Sequence, residues 1–285
     1  MEQAISNIHW FPGHMTKTFR LIEKEIKNVD IVIELIDARL PVSSKNPELA
    51  AATSRKPRFV VLNKADLAEE KTTKRFVEYY RSHGYGAIAI SSKDRKGARK
   101  AIDAALDLLK KQKSNRAAIK PAAMIVGVPN IGKSTFINSL AGAAKTKTED
   151  RPGVTRGKQL VVLKDVELID MPGVLWKKLE DQKGALLLAF TGAIKDGVLD
   201  TEEISSCLLE RLAKSNPEAL VRRYGFDDEL INSENGREML NAVAKKRGML
   251  MSGGICDEER AAQAVLDELR AGKLGRITFD EVPKI

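Results

Sequence analysis

Short, almost continuously apolar runs alternate with amphipathic stretches over the first two-thirds of the chain. Four runs predict strands that are buried on both faces of a parallel sheet, at residues 31–36, 59–62, 87–90 and 122–127. The stretches between them place apolar residues at helical spacing and predict helices at residues 17–28, 71–83, 98–113 and 133–140. Residues 160–163 and 166–169 predict a hairpin. This alternation favours an α/β fold with a mostly parallel sheet.

The pattern changes near residue 184, after which we find helical periodicity and no convincing strand. The best predicted helices of this part are residues 204–213, 237–247 and 258–271. We therefore predict an N-terminal segment (1–16), an α/β domain (17–178) and a small all-helical domain (184–285).

A phosphate-binding loop is predicted where the fourth strand meets the next helix. Residues 127–134 are Gly-Val-Pro-Asn-Ile-Gly-Lys-Ser, and such a loop lets backbone N–H groups surround a phosphate at a helix N-terminus. Lys133 is expected to neutralise the β- and γ-phosphates, and the Ser134 hydroxyl to ligate Mg²⁺. The predicted nucleotide contacts of this loop are Asn130, Ile131, Gly132, Lys133, Ser134 and Thr135.

A second motif, Asp170-Met171-Pro172-Gly173, ends the predicted hairpin. Asp170 is expected to hold Mg²⁺ through water, and the Gly173 N–H to bind the γ-phosphate. Thr155, in the polar loop between the two motifs, is expected to reach the metal only when a γ-phosphate is present. Thr155 and Lys133 are therefore predicted to be catalytic.

A guanine-binding motif, Asn63-Lys64-Ala65-Asp66, follows the second predicted strand. The Asp66 carboxylate can accept hydrogen bonds from guanine that adenine cannot donate, the Lys64 stem can lie over the base, and Asn63 can tie loops together. Ser91 and Ser92, at the end of the next strand, are expected to support the base through main-chain N–H groups. These motifs favour GTP and GDP over adenine nucleotides.

The motif order is unusual, because the guanine-binding motif precedes the phosphate loop, whereas ordinary GTPases have the reverse. The sequence thus predicts a circularly permuted P-loop GTPase domain. The second motif then leads directly into the helical third of the chain. We hypothesise that a γ-phosphate-dependent movement is transmitted along that connection.

Two positions leave alternatives open. Val174 occupies the position of the glutamine that often orients the attacking water, and it cannot hydrogen-bond water. His14 could supply the missing group, or it could be a structural loop histidine. Asn130 could help to hold K⁺ near the phosphates, or it could stiffen the loop.

Charge and composition limit the partners. Residues 1–179 contain 33 Lys and Arg against 19 Asp and Glu, a net +14, whereas residues 180–285 carry a net −5. This asymmetry favours a polyanion partner for the first two-thirds of the chain. Two distant cysteines, no signal-peptide pattern and no long apolar run predict a cytoplasmic protein with no membrane partner. DNA is not an expected partner either.

Over its whole length the chain resembles the bacterial ribosome biogenesis GTPase A family, whose GTPase domain is circularly permuted. The resemblance implies that GTP hydrolysis assists late assembly of the large (50S) ribosomal subunit and is stimulated by the particle. It also implies K⁺ dependence through Asn130, a catalytic role for His14, and rRNA binding by the helical domain. The residues that carry the resemblance are 10–15, 37–39, 41, 46–47, 63–66, 127–134, 152–155, 170–173, 253–254, 257, 260–262 and 272–276.

Two other functions remain open from the sequence. One is an RNA-binding scaffold in which nucleotide gates binding and hydrolysis only resets it. The other is a GTPase that acts on the small subunit. A monomer is the expected state.

Overall fold

A computed structural model describes residues 13–112, 120–141, 159–176 and 181–283. They form two compact units, which are considered separately. The first is an α/β unit made of the described residues up to 176 together with 278–283. The second is a helical unit of residues 181–277.

The α/β unit contains one six-stranded sheet in the order β3-β2-β1-β4-β6-β5. All neighbouring strands are parallel except β5, which pairs antiparallel with β6 and forms the predicted hairpin. The strands are β1 (Ile31–Asp37), β2 (Arg58–Asn63), β3 (Gly86–Ala89), β4 (Ala122–Val126), β5 (Gln159–Val162) and β6 (Glu167–Asp170). The predicted α/β fold with a mostly parallel sheet is confirmed.

Amphipathic helices cover this sheet. They are α1 (Gly13–Glu25), α2 (Pro47–Ala52), α3 (Glu70–Ser82), α4 (Arg95–Gln112) and α5 (Lys133–Ala141). All seven residues of β1 are buried, as are Ile22 of α1, Phe76 of α3 and Phe136 of α5. Of these five helices, α2, a single short helix capped by Asn46, was absent from the prediction.

The helical unit contains α6 (Gln182–Phe190), α7 (Thr201–Ser215), α8 (Pro217–Tyr224), α9 (Asp228–Asn232), α10 (Gly236–Lys246) and α11 (Glu258–Arg270). α7 packs against both α10 and α11 and buries Leu208 and Leu212. The predicted helical character is confirmed. No helix in the described ranges has the length and apolar character needed to span a membrane.

The chain returns to the α/β unit after the helical unit. Phe279 N donates to the Arg39 carbonyl at 2.9 Å. The Asp280 carboxylate accepts from the backbone N–H groups of Val42 and Ser43 at 2.7 and 2.8 Å. We call residues 278–283 the C-terminal strap. The sequence prediction placed these residues in the helical domain, but their hydrogen bonds join them to the α/β unit.

Candidate functional site

The predicted motifs converge at one edge of the sheet. The parallel strands β1, β2, β4 and β6 all end there, because strands that run the same way bring their carboxyl ends together. Asp37 and Asn63 end β1 and β2, the phosphate loop follows β4, and Asp170 ends β6. Ligands of open α/β sheets bind at this edge.

Two glycines allow the phosphate loop to pass close to its neighbours. Gly127 has φ +151°, and a Cβ there would lie 2.5 Å from the Leu35 carbonyl oxygen. Gly132 has φ +95°, and a Cβ there would lie 2.5 Å from Asn63 Nδ2. There is no space for a side chain at either position, and residues with a Cβ rarely adopt a positive φ. The loop therefore requires glycine at both positions.

Lys133 bends back over the loop that precedes it. Its Nζ donates to the carbonyl oxygens of Gly127 at 3.2 Å and Val128 at 3.0 Å, and the residue is 8% exposed. Burial lowers the pKa of Lys133 to about 8, although the charge of Asp170 acts in the opposite direction. A buried cation next to a glycine-rich loop is suited to bind phosphate oxygens.

Asp170 is the acidic counterpart of Lys133. Burial raises its pKa to about 6, and the attraction of Lys133 only partly offsets this effect. Its Oδ1 is buried and lacks a hydrogen-bond partner within the described part of the chain. Such an oxygen fits a water-bridged Mg²⁺, which favours oxygen ligands and retains several waters. Ser134 is exposed in the first turn of α5, and its hydroxyl is a second oxygen suited to bind Mg²⁺.

Gly173 lies directly against the phosphate loop. A Cβ at this position would lie 2.7 Å from Pro129 Cα and 2.9 Å from Lys133 Nζ. The close approach itself therefore requires glycine. The structure thus brings the second motif against the loop.

Three contacts fix the segment that follows. Val174 N donates to the Gly127 carbonyl at 3.3 Å, and Asn46 Nδ2 donates to the Val174 carbonyl at 3.0 Å. Leu175 N donates to Met15 Sδ at 3.3 Å. The first turn of α1 and the cap of α2 are therefore neighbours of this segment, an arrangement that the sequence analysis did not predict.

Asn63 links two loops of the site. Its Nδ2 donates to the Ile131 carbonyl at 2.8 Å. Its Oδ1 accepts from Ser92 N at 2.9 Å and Ser92 Oγ at 2.7 Å. Asn63 is 1% exposed, so the predicted linking role is supported by a buried network.

The rest of the guanine-binding motif is more open. Lys64 adopts a left-handed conformation (φ 59°), and its Nζ donates to the Asn130 carbonyl at 2.8 Å. Asp66 lies in a short 3-10 turn with its side chain 36% exposed and 3.9 Å from Lys93 Nζ. Ser91 is partly exposed in the loop that follows β3. These positions leave Asp66 accessible to a base.

Asp37 and Arg39, to which the sequence assigned no role, form a buried ion pair at the end of β1. Both are 1% exposed. Asp37 Oδ1 accepts from Arg39 N and Nε, Oδ2 accepts from Arg39 Nη2 at 2.8 Å, and Lys64 Nζ lies 3.2 Å from Oδ2. Burial alone would raise the pKa of Asp37, but the charges of Arg39 and Lys64 outweigh it and hold the pKa well below its usual range.

Not every predicted residue can be located. Thr155 lies outside the described residues. The backbone of His14 belongs to the first turn of α1, and its side chain is not described. Thr135 is exposed on α5, and Ile131 is buried in the loop. Asn130 is exposed and has φ 54°.

A glycine-rich phosphate loop, an Asp-x-x-Gly segment against it and an Asn-Lys-x-Asp motif on a neighbouring strand define a P-loop GTPase, here with permuted chain order. Residues 122–221 match a family model described as 50S ribosome-binding GTPase. A ribosome biogenesis GTPase A from Bacillus cereus is 45% identical over 280 residues, which cover 96% of this chain and 93% of that protein. One from Thermotoga maritima is 35% identical over 274 residues, covering 95% and 93%.

Solved structures lead to the same family. GNP-bound YlqF from T. maritima has a TM-score of 0.64 and 30% identity, with 93% of this chain and 98% of that chain covered. The chain belongs to the ribosome biogenesis GTPase A family. It is a GTPase, which converts GTP to GDP and phosphate.

Proposed function

We propose that this GTPase binds the immature large (50S) ribosomal subunit, promotes its late assembly, and hydrolyses GTP faster when bound to it. The observation that carries the proposal is the match of residues 122–221 to the 50S ribosome-binding GTPase model, supported by relatives named for ribosome biogenesis. The net charge of +14 on residues 1–179 favours attraction to rRNA.

Nucleotide binding is assigned to the edge of the sheet described above. The phosphate loop and Lys133 bind the phosphates, and the Gly173 N–H binds the γ-phosphate. Asp66 accepts hydrogen bonds from guanine, and the loop of Ser91 and Ser92 supports the base. Mg²⁺, held by Ser134, by Thr155 and through water by Asp170, would neutralise charge on the phosphates.

Hydrolysis requires a group that the apolar Val174 cannot supply. We assign that role to His14. The contact between Met15 Sδ and Leu175 N, at 3.3 Å, supports this assignment, because it brings the first turn of α1 beside the residues that follow Gly173. A neutral imidazole there could orient the attacking water.

Asn130 is assigned to K⁺. Its position at the exposed surface of the phosphate loop supports this role, because an added cation there would offset the charge of the phosphates. The proposed K⁺ ligand is the side-chain oxygen of Asn130, and its main-chain carbonyl accepts from Lys64 Nζ.

The helical unit is proposed to contact rRNA through a local basic edge, although its net charge is negative. Glu268 pairs with both Arg223 and Arg247, which joins the C-terminal ends of α8, α10 and α11. Lys245 and Lys246 lie exposed at the end of α10. Lys273 and Arg276, which follow α11, are exposed as well. The shared pairing with Glu268 brings Arg223 and Arg247 together, and Lys245 and Lys246 directly precede Arg247.

The test is GTP hydrolysis by the purified protein with and without large subunits, in K⁺ and in Na⁺. We expect stimulation by large subunits, more strongly in K⁺, and binding that weakens as salt increases. Small subunits serve as the control. Stimulation by small subunits alone, or binding that does not change with ionic strength, would contradict the proposal.

A His14→Ala protein separates this function from a nucleotide-gated scaffold. The variant is expected to bind GTP and the particle while its stimulated hydrolysis falls by about 10²–10⁴-fold. If it still supports subunit maturation, the scaffold is the better description.

A further inference from the structure

Asp37 occupies the gap between the guanine-binding motif and the phosphate loop. It ends β1, the strand between β2 and β4, and it is in register with Asn63 on β2. The residue after Asn63 is Lys64, whose Nζ reaches both Asp37 Oδ2 (3.2 Å) and the Asn130 carbonyl (2.8 Å). The lysine therefore bridges the two halves of the nucleotide site.

We propose that Asp37, held by Arg39, is a positioning residue that fixes Lys64 for guanine binding. The inference rests on the proposed nucleotide site. Asp37 need not touch the nucleotide, since it acts through the lysine.

The carboxylate is fixed from two directions. Arg39 contributes three hydrogen bonds, from its backbone N, Nε and Nη2, at 3.0, 2.9 and 2.8 Å. The backbone N of Asp37 donates to Ser44 Oγ at 2.9 Å. An acceptor constrained in this way has few rotameric alternatives, so it provides a defined anchor for a long side chain.

Lys64 needs such an anchor. Its side chain is 24% exposed, and a lysine in this setting loses considerable rotamer freedom when it is ordered. If Asp37 and the Asn130 carbonyl hold the ammonium before nucleotide arrives, the stem already lies across the site. Binding of the base then costs less entropy, as in other preorganised sites.

The experiment is a double-mutant cycle with Asp37→Asn and Lys64→Met, measured by binding of GDP and of inorganic pyrophosphate. Asp37→Asn is expected to weaken GDP binding about tenfold, because the neutral amide holds the ammonium less well. Pyrophosphate has no base, so its binding should change by less than about twofold. In the Lys64→Met background, Asp37→Asn should have no additional effect on GDP.

Asp165→Asn is the control for loss of an arginine-paired carboxylate, because Asp165 pairs with Arg99 and lies 36% exposed on the hairpin, outside the site. Asp37→Glu keeps the charge opposite Arg39 and is the variant to use if Asp37→Asn does not fold. It should weaken GDP binding selectively, since the carboxylate is displaced by one methylene.

An unchanged GDP affinity in the folded Asp37 variant would overturn the inference. So would an equal loss of pyrophosphate binding, or the same GDP loss with and without Lys64. Wild-type protein that binds pyrophosphate but not GDP would instead refute the proposed nucleotide site, so the two failures are distinguishable.

Discussion

Lys133 and Asp170 show how burial prepares single residues of the site for a charged ligand. Burial moves both groups towards their neutral forms, lowering the pKa of Lys133 to about 8 and raising that of Asp170 to about 6. Their mutual attraction does not compensate for lost hydration. The free protein therefore holds charges that a phosphate and a metal ion would stabilise.

Asp170→Asn is predicted to stabilise the nucleotide-free protein at pH 7 while impairing hydrolysis. The pKa of Asp170 is higher in the folded protein than in the unfolded chain, so the protonated carboxyl stabilises the fold. This stabilisation is fully present below pH ~4, the pKa of the unfolded chain, and is lost as pH rises through about 6. The variant should show a higher Tm at pH 7 and a weaker pH dependence of Tm over this window. Hydrolysis should fall by about 10²–10³-fold.

Thermal unfolding from pH 4 to pH 8, with and without Mg²⁺ and GDP, measures both effects. Asp66→Asn is the control, since it removes a more exposed carboxylate from the same site. If Asp170→Asn lowers the Tm of the free protein at pH 7, our account of Asp170 is wrong.

Asn63→Ala is predicted to cost stability as well as affinity. The change leaves the Ile131 carbonyl and the Ser92 donors without their partner, and loss of buried hydrogen bonds of this kind costs roughly 2–4 kcal/mol. Denaturant unfolding of nucleotide-free protein measures this free energy. Asp66→Asn should weaken GDP binding with almost no change in unfolding, and similar behaviour of the two variants would contradict the distinction.

The segment that follows β6 lies directly against the phosphate loop, which explains why the second motif contains a glycine. After β6 the chain passes so close to the phosphate loop that a Cβ on Gly173 would lie 2.7 Å from Pro129 Cα. The predicted contact of its N–H with a γ-phosphate depends on this proximity, because the loop and the segment must surround the same group.

Gly173→Ala is therefore predicted to separate the segment from the loop. Hydrolysis should fall by at least about 10²-fold, because a displacement of about 1 Å is enough to misalign a catalytic group. Steady-state GTP hydrolysis gives the result. Gly197→Ala in the helical unit is the control, since no atom lies within 4 Å of its added Cβ. Equal activity of the two variants would show that the contact with Pro129 yields easily.

Periodicity predicted the long elements and missed the short or uniform ones. The strands and α3, α4, α5, α7, α10 and α11 were predicted within a few residues of their observed bounds. α6 was missed because its residues are apolar on all sides and six of them are buried, so it has no polar face to give a period. α2 and α9 are too short to show one, whereas α8 was missed although its apolar residues follow a helical period.

The site was predictable where local sequence defines it. The phosphate loop and the guanine-binding motif follow strands and could be placed on the carboxyl edge of the sheet. The contacts of Asp37 with Lys64 and of Met15 with Leu175 join distant positions and depend on strand order, which one sequence does not specify. The sequence did contain a signal for Asp37 itself, because a buried strand ends in this Asp and an Arg follows two residues later.

At the scale of the whole molecule, the described part of the chain passes between the α/β unit and the helical unit twice. The segment after Gly173 is one connection between the α/β unit and the helical unit. The strap provides a second one, through Phe279 and Asp280 on residues 39–43. The helical unit is thus flanked on both sides by chain that belongs to the α/β unit.

Asp280→Asn is predicted to loosen residues 40–45 and leave the helical unit unaffected. The amide cannot accept from Val42 N, Ser43 N and Ser43 Oγ as strongly as the carboxylate does, and charge-assisted bonds are about twice as strong as neutral ones. Hydrogen exchange should increase at residues 42–43. Glu281→Gln changes an exposed neighbouring residue and is the control. Equal hydrogen-exchange protection of residues 42–43 in both variants would show that Asp280 does not hold this loop.

The strap also has a consequence for how the protein is made. Residues 278–283 leave the translating ribosome after the entire helical unit, yet they complete a loop that follows the first strand. Domains ordinarily fold in the order of synthesis. In this chain the sheet can fold first, but residues 39–43 lack the hydrogen bonds of the strap until the helical unit has been translated. Nascent chains that end before residue 278 should therefore carry a folded sheet whose first loop is open to protease.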